Sequence, residues 1–424
     1  MRARRFLYPI AIVLLVLLGA CTSGVRLLED PAAYESEVER LHRRLLERPN
    51  DPEALRDLGV IYLRTRQYGQ AQDYLQRSFS RSPGDPKTLF YLGLSTEVLG
   101  QRDTALRVYE KYPDVPRASQ YRRLMQGRFH RLMRQVVQEE ARRLAAMDAE
   151  LVERAPTSDD IVAVFPLNYQ AGEERYAALG RGLAEMVTVD LANVQSLRVV
   201  ERVRLQAILD ELQLGQSGAV DPASAPQVGR LLGAGRVVGG GYSVLGRRDL
   251  HVGAAIARTG SGTAGQVTSE GDLNDLFDVE KRLVFELIEA LGVRLSPQEQ
   301  EAIESVPTRN LQAFLAFSRG LEHEDAGRYG AAASSFQQAA RLDPAFTEAG
   351  ARAERAESME AASSVEDLMV AAASFEQATG NELLQNRLQL LNATLGANVN
   401  PGPDMRMPAQ EAFQPLPAPP PPPE

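Results

Sequence analysis

The sequence predicts an α/β (α+β) domain flanked by all-α helical hairpins. Three observations predict it. Residues 55–105 carry an internal period of 34, residues 161–232 alternate short apolar runs with stretches of helical periodicity, and residues 346–394 return to alanine- and glutamate-rich helix formers. With 424 residues, 44% hydrophobic and 24% charged, the chain has room for roughly two or three domains and enough apolar surface to fold them.

Composition excludes several classes of function. Acidic residues outnumber basic ones and the net charge is −9, so nucleic acid is a poor partner. The excess grows by three once Arg2, Arg4 and Arg5 leave with the leader argued below. A single cysteine rules out an internal disulfide or a multi-cysteine metal site. The four histidines, His42, His130, His251 and His323, show no ligand spacing, so neither metal nor cofactor is expected.

Residues 1–20 open with basic residues and continue as an apolar run from Phe6 to Leu18, the plan of a secretory leader and too short for a comfortable membrane span. The run stops at Leu18-Gly19-Ala20-Cys21, which resembles the lipobox of bacterial lipoproteins. The resemblance implies that Cys21 is lipidated and becomes the first residue, anchoring the protein to a membrane. Thr22 follows where an aspartate would signal retention, which by resemblance to the lipoprotein sorting rule implies the outer membrane and its periplasmic face. Residues 21–33 then form a linker.

The 34-residue period places Leu55, Leu58, Gly59 and Ala71 against Leu89, Leu92, Gly93 and Ala105, with Pro52 matched by Pro86. This resembles the tetratricopeptide repeat, in which small residues let two helices of a hairpin approach closely. Residues 34–116 form these repeats. A third unit fits Gly320, Tyr329, Ala332, Phe336, Ala339 and Pro344 within C-terminal repeat-like helices at 305–395. Such grooves bind extended or helical peptide on the concave face of each first helix, which would place Arg56, Tyr62, Arg64 and Tyr91 in a peptide-binding groove for other envelope proteins.

Residues 117–157 read as one long connecting helix, with Phe129, Leu132, Val136, Leu144, Met147 and Leu151 on one face. Its first half carries Arg122, Arg123, Arg128, Arg131 and Arg134; a solvated face is the plainer reading, and contact with lipid headgroups or an acidic partner the sharper one. The α/β domain spans 158–296. It has a buried strand at 161–167, a helix at 176–194, a short strand at 197–200 and a helix at 202–214. A third helix capped by Asp221-Pro222 runs to Leu232, and a meander of three short strands occupies 237 to about 267. A last helix starts at Asp275 and ends at Gly292 in the position of a left-handed cap. The proline-rich residues 396–424 favour an extended polyproline tail.

Four constellations fail as active sites. Gly239-Gly240-Gly241 lacks the helix and Gly-Lys-Ser/Thr of a phosphate loop and reads as close packing within the sheet. Gly260-Ser261-Gly262 lacks the form of a nucleophile elbow and reads as a turn. Asp159 and Asp160 open a strand. Glu201-Arg202 starts a helix, where capping and an ion pair suffice.

Ile161 to Leu167, Leu179 to Met186, Val199 to Glu211 and Val228 to Gly240, followed by Asp272 to Phe277, resemble the CsgG/HfaB lipoprotein family over residues 160–292. The resemblance implies an α/β periplasmic domain akin to those of curli secretion components, flagellar lipoproteins and the amino-terminal domain of TolB, none of them an enzyme. The expected function is therefore a non-enzymatic, outer-membrane-anchored scaffold for envelope assembly or secretion, with self-association possible. The alternative is an oligomeric CsgG-type secretion channel. A bilayer-crossing strand needs about 9–11 residues, and the short strands expected after Val237 argue against it.

Overall fold

The computed structural model describes residues 34–214, 224–246, 248–260 and 262–379. The leader, Cys21, the linker, the Asp221-Pro222 cap, residues 380–395 of the C-terminal helices and the proline-rich tail lie outside the described residues. One compact unit runs to Ala371. The second, Ala372–Glu424, is described only over residues 372–379, which are helical.

The amino-terminal helices are α1 (Glu35–Glu47), α2 (Pro52–Arg64), α3 (Tyr68–Arg81), α4 (Pro86–Val98) and α5 (Arg102–Tyr109). Their starts repeat the same chemistry. Asp51 and Asp85 each accept helix amides through the side chain, and a proline follows at the first helical position, where no amide is needed. A Cβ on Gly59 would overlap Leu75, one on Gly93 would overlap Tyr109, and one on Gly320 would overlap Phe336. In all three hairpins the residue met lies sixteen positions on, so the glycine is the notch into which the second helix packs.

Helix α6 (Gln120–Ala145) is shorter than the sequence suggested. Its 26 residues span about 39 Å. The amides of Ala146 and Met147 turn back to Arg142 and Leu144, and a separate turn, α7 (Ala149–Glu153), follows. Met147 and Leu151, expected on the apolar face, are exposed.

The sheet comprises β1 (Ser158–Val164), β2 (Asn168–Ala171), β3 (Arg198–Val199), β4 (Ala234–Leu245), β5 (Asp249–Arg258) and β6 (Gly262–Asp272). Its order is β3-β1-β4-β5-β6, with β2 beside the far end of β4. β1 pairs in parallel with β3 and β4, Val162 opposite Val199 and Ala163 opposite Val237, whereas β4, β5 and β6 form the expected antiparallel meander. The single strand expected at 161–167 divides at Pro166, which has no amide to give a ladder.

Alternation along β1 separates two cores. Val162 and Val164 face α8 (Leu179–Ala192) and α11 (Leu276–Ala290), while Ala163 and Phe165 face α9 (Arg202–Glu211) and α10 (Ala225–Leu231). Gly292 ends α11 at φ 73°, the left-handed cap read from the sequence. Four further helices follow: α12 (Pro297–Glu304), opened by a Ser296–Glu299 capping box, α13 (Leu311–Asp325), α14 (Tyr329–Leu342) and α15 (Thr347–Ala361). Phe314, Phe317 and Phe336 of α13 and α14 share the core of α8 and α11, so the C-terminal hairpin is fused to the sheet domain rather than tethered to it. No helix among the described residues is long and apolar enough to cross a membrane.

Candidate functional site

The predicted peptide groove is reached only in part. Arg56 bonds Asp57 at 2.9 Å and stands 3.6 Å from Asp85, at the start of the next repeat. Tyr62 stacks on Tyr74 with centroids 5.3 Å apart. Arg64 donates to the Tyr91 hydroxyl at 3.1 Å. Tyr91 itself is fully buried against Phe90 and Tyr121, so it is a core residue and not a groove wall. Tyr121 belongs to α6, which closes over the second repeat.

The arginines of α6 correct both readings offered for them, because most are turned inward. Arg122 donates to the carbonyls of Pro113 and Val115, at 2.7 and 2.6 Å. Arg128 grips Glu97 in the second repeat and the carbonyls of Ala362 and Ser363 beyond α15. Arg131 donates to the carbonyl of Met359, and Arg134 to those of Glu324 and Asp325. These carbonyls cluster at helix C-termini, which leave acceptors unsatisfied and carry negative partial charge. A Cβ on Gly127 would overlap the Ser358 carbonyl, so α6 lies directly on α15.

Where α8, α9, α13 and α15 meet, a charged cluster joins the sheet domain to the C-terminal hairpin. Arg202 lies 3.1 Å from Glu185 and bonds both Glu324 and Asp325. Arg352 bonds Glu185, Glu324 at 3.0 Å and Glu348 at 2.7 Å, and Arg181 reaches Asp325 at 3.2 Å. Burial pushes the Glu324 carboxyl up, but Arg202 and Arg352 outweigh it and hold it below the usual range. For Asp325, burial outweighs Arg202 and Arg181 and raises it. The Glu201-Arg202 pair is thus half right: Arg202 is the hub, whereas the Glu201 side chain makes no capping bond. Asp160 pairs with Arg198 at 2.8 Å across β1 and β3; bonds from Arg198 and Ser158 lower its carboxyl to about 2.

Within the sheet domain, Lys281 bonds Asp190 at 2.6 Å, with Glu280 3.6 Å away. Both Glu280 carboxyl oxygens are buried without a hydrogen-bond partner, and burial, with Asp190 beside it, drives this carboxyl well above its usual range. The sequence offered no signal for it.

The open surface is the outer face of the antiparallel half of the sheet. Helices α9 and α10 cover the parallel strands, but beyond them Gly239, Gly253, Ala255 and Ala257 floor a trough of about 820 Å³ walled by Phe165, Pro166 and Gln170. His251 and Glu270 meet at its far side, 3.2 Å apart. Packing explains part of the glycine run: a Cβ on Gly240 would overlap the Gly253 carbonyl, and one on Gly241 would press on Gln170 at 2.5 Å. Gly239 and Gly253 are different, each with ordinary room for a Cβ at 3.7 Å. Glycine weakens a strand and often marks a site where another backbone comes close.

The strands themselves correct one expectation. β4, β5 and β6 have 12, 10 and 11 residues, so length no longer argues against a membrane crossing. Their side chains argue instead, because one face is buried under α11 and the other carries His251, Gln266, Thr268 and Glu270 rather than an apolar band.

Residues 143–279 match the family model of the curli production assembly/transport component CsgG. This stretch resembles a CsgG-type domain. The match begins in the last turn of α6, includes the whole sheet and ends inside α11. Among solved structures, the crystal structure of yeast Tom70 aligns over 81% of this chain and 67% of its own at 11% identity, with a TM-score of 0.22. No curated protein matches.

Proposed function

We propose that the protein is a non-enzymatic lipoprotein, anchored through Cys21 to the periplasmic face of the outer membrane, that serves as a docking scaffold in envelope assembly or secretion. The CsgG-type domain supports the link to the envelope and to curli assembly and transport. One observation carries the scaffold reading: the helical hairpins and the CsgG-type sheet domain form one compact unit that leaves the antiparallel face of the sheet open. A rigid body with separated surfaces holds partners at fixed spacing. The hairpins, read as tetratricopeptide-like, supply one surface through Arg56, Tyr62 and Arg64, and the trough supplies the other.

Photocrosslinkers placed at Ala255 and at Arg56 in the lipidated protein test this in cells. Specific adducts with envelope proteins from both positions are expected; adducts from neither would end the scaffold reading. Cys21→Ser is expected to release the protein from the membrane fraction, and unchanged fractionation would end the anchoring reading.

A second reading, a CsgG-type channel, is favoured by the strand lengths alone. Conductance of the purified lipoprotein in planar bilayers would promote it over the scaffold.

A further inference from the structure

Beside the charged cluster, α6, α9 and the turn from α13 to α14 enclose a cleft of about 560 Å³. Two of its three carboxylates are engaged, Asp325 by Arg181 and Arg202 and Asp210 by the Gln206 amide at 2.7 Å, whereas the Glu322 carboxylate on the lip makes no hydrogen bond or ion pair among the described residues. Its arginines are not matched in the same way. Arg131 lies 4.7 Å from the centroid of the Tyr329 ring, and its one hydrogen bond runs from Nε to the Met359 carbonyl. Among the described residues neither terminal nitrogen of that guanidinium has an acceptor, and no carboxylate stands within ion-pair reach. The acids nearest to it in charge are turned elsewhere: Glu360 takes the Gly330 amide at 3.1 Å, and Asp367 takes the Ser364 hydroxyl at 2.8 Å. Arg134, one turn on, stands 6.0 Å from the same ring and bonds only carbonyls. Arg328, on the exposed lip, bonds His323 at 3.0 Å and likewise has no carboxylate.

An arginine that lines a cleft, held by a ring and a carbonyl and with its terminal nitrogens without an acceptor, offers the fork that matches a carboxylate or a phosphate. We propose that this cleft binds an oxyanion, a carboxylate or phosphate group, gripped by the terminal nitrogens of Arg131 with Arg134 and Arg328 supplying further positive charge. The bound anion bridges α6 and the α13–α14 turn next to Arg181 of the sheet domain, so its occupancy tightens the junction between the hairpins and the sheet.

The experiment is calorimetric titration of the full folded chain lacking its leader with inorganic phosphate and, separately, with citrate, at fixed ionic strength and with sodium chloride as control. Saturable heat with one of the two probes is expected, and which one identifies the oxyanion. Arg131→Gln is expected to weaken binding about tenfold or more, and Arg131→Lys to weaken it as well because the fork is lost. Arg328→Gln, which leaves the internal bonds of α6 intact, is expected to weaken it several-fold and decides the matter if Arg131→Gln fails to fold. No saturable heat with either probe, heat equal to that of chloride, or binding unchanged in all three variants would overturn the proposal.

Discussion

Replacing Arg202 with methionine removes the hub of the junction while roughly keeping its volume. In the native protein three buried carboxylates, Glu185, Glu324 and Asp325, face Arg181, Arg202 and Arg352, with the exposed Glu348 as a fourth acid on Arg352. The variant leaves three buried acids facing two arginines, with Glu324 and Asp325 each only 7% exposed. Breaking a buried pair costs about 3–5 kcal/mol because the abandoned charge stays desolvated. The Arg202 side chain is 21% exposed, so water relieves part of that and about 3 kcal/mol is expected, roughly a hundredfold in the folding equilibrium. The assay is urea unfolding followed by far-ultraviolet circular dichroism, run as a cycle with Asp325→Leu. Removing both partners should cost less than the two single losses together, with a coupling of about 1–3 kcal/mol. A loss below about 1 kcal/mol for Arg202→Met, or strict additivity in the cycle, would refute the claim that this cluster joins the two parts.

Two glycine substitutions should move stability in opposite directions. Gly320→Ala drives a methyl into the Phe336 ring and should cost about 1–2 kcal/mol net of the helix propensity gained, whereas Gly350→Ala, in α15 with nothing within 4 Å, should gain up to about 1 kcal/mol; thermal melts of both check it. His130 supplies a pH dependence. Burial, with Arg355 nearby, lowers it from 6.5 to about 4, so the imidazole stays neutral in the fold while the unfolded chain takes up a proton first. Stability from this group is complete above about pH 6.5 and falls as pH drops toward 4, by at most roughly 3 kcal/mol. Urea midpoints at pH 7 and 4.5 should therefore differ less in His130→Leu than in the native protein. Glu280 has the opposite sign: its carboxyl is raised, so stability is lost as pH rises above its usual 4.5, and Glu280→Gln should stabilise more at pH 8 than at pH 5.

What could be read in the sequence was whatever a local pattern encodes. Gly59, Gly93 and Gly320 mark the hairpins because only glycine fits the notch, Gly292 marks a helix end because its φ is positive, and the β1–α8–β3–α9 order follows the change of apolar period. The meander was found but its strands were read short, because Gly253–Gln266 is largely glycine, alanine and threonine and lacks the large β-branched residues that announce a strand. The end of α6 was missed because neither glycine nor proline stands at Ala145–Met147. The roles of Arg128, Arg131 and Arg134 were illegible for a deeper reason: each reaches a backbone carbonyl 190 or more positions away, and a carbonyl leaves no trace in the residue type that bears it. Tyr91 misled because a place on the concave face of one repeat does not reveal that Tyr121 will cover it.

Rigidity of the unit that carries the two proposed docking surfaces can be measured as a distance between them. Spin labels at Gln76→Cys on α3 and Thr268→Cys on β6 occupy exposed positions, and once Cys21, the single native cysteine, is replaced by serine no other cysteine competes for them. Double electron–electron resonance should give a single narrow distance distribution that broadens when Arg202→Met is added. A broad distribution in the unsubstituted chain, with hairpins and sheet moving independently, would contradict the scaffold as one body.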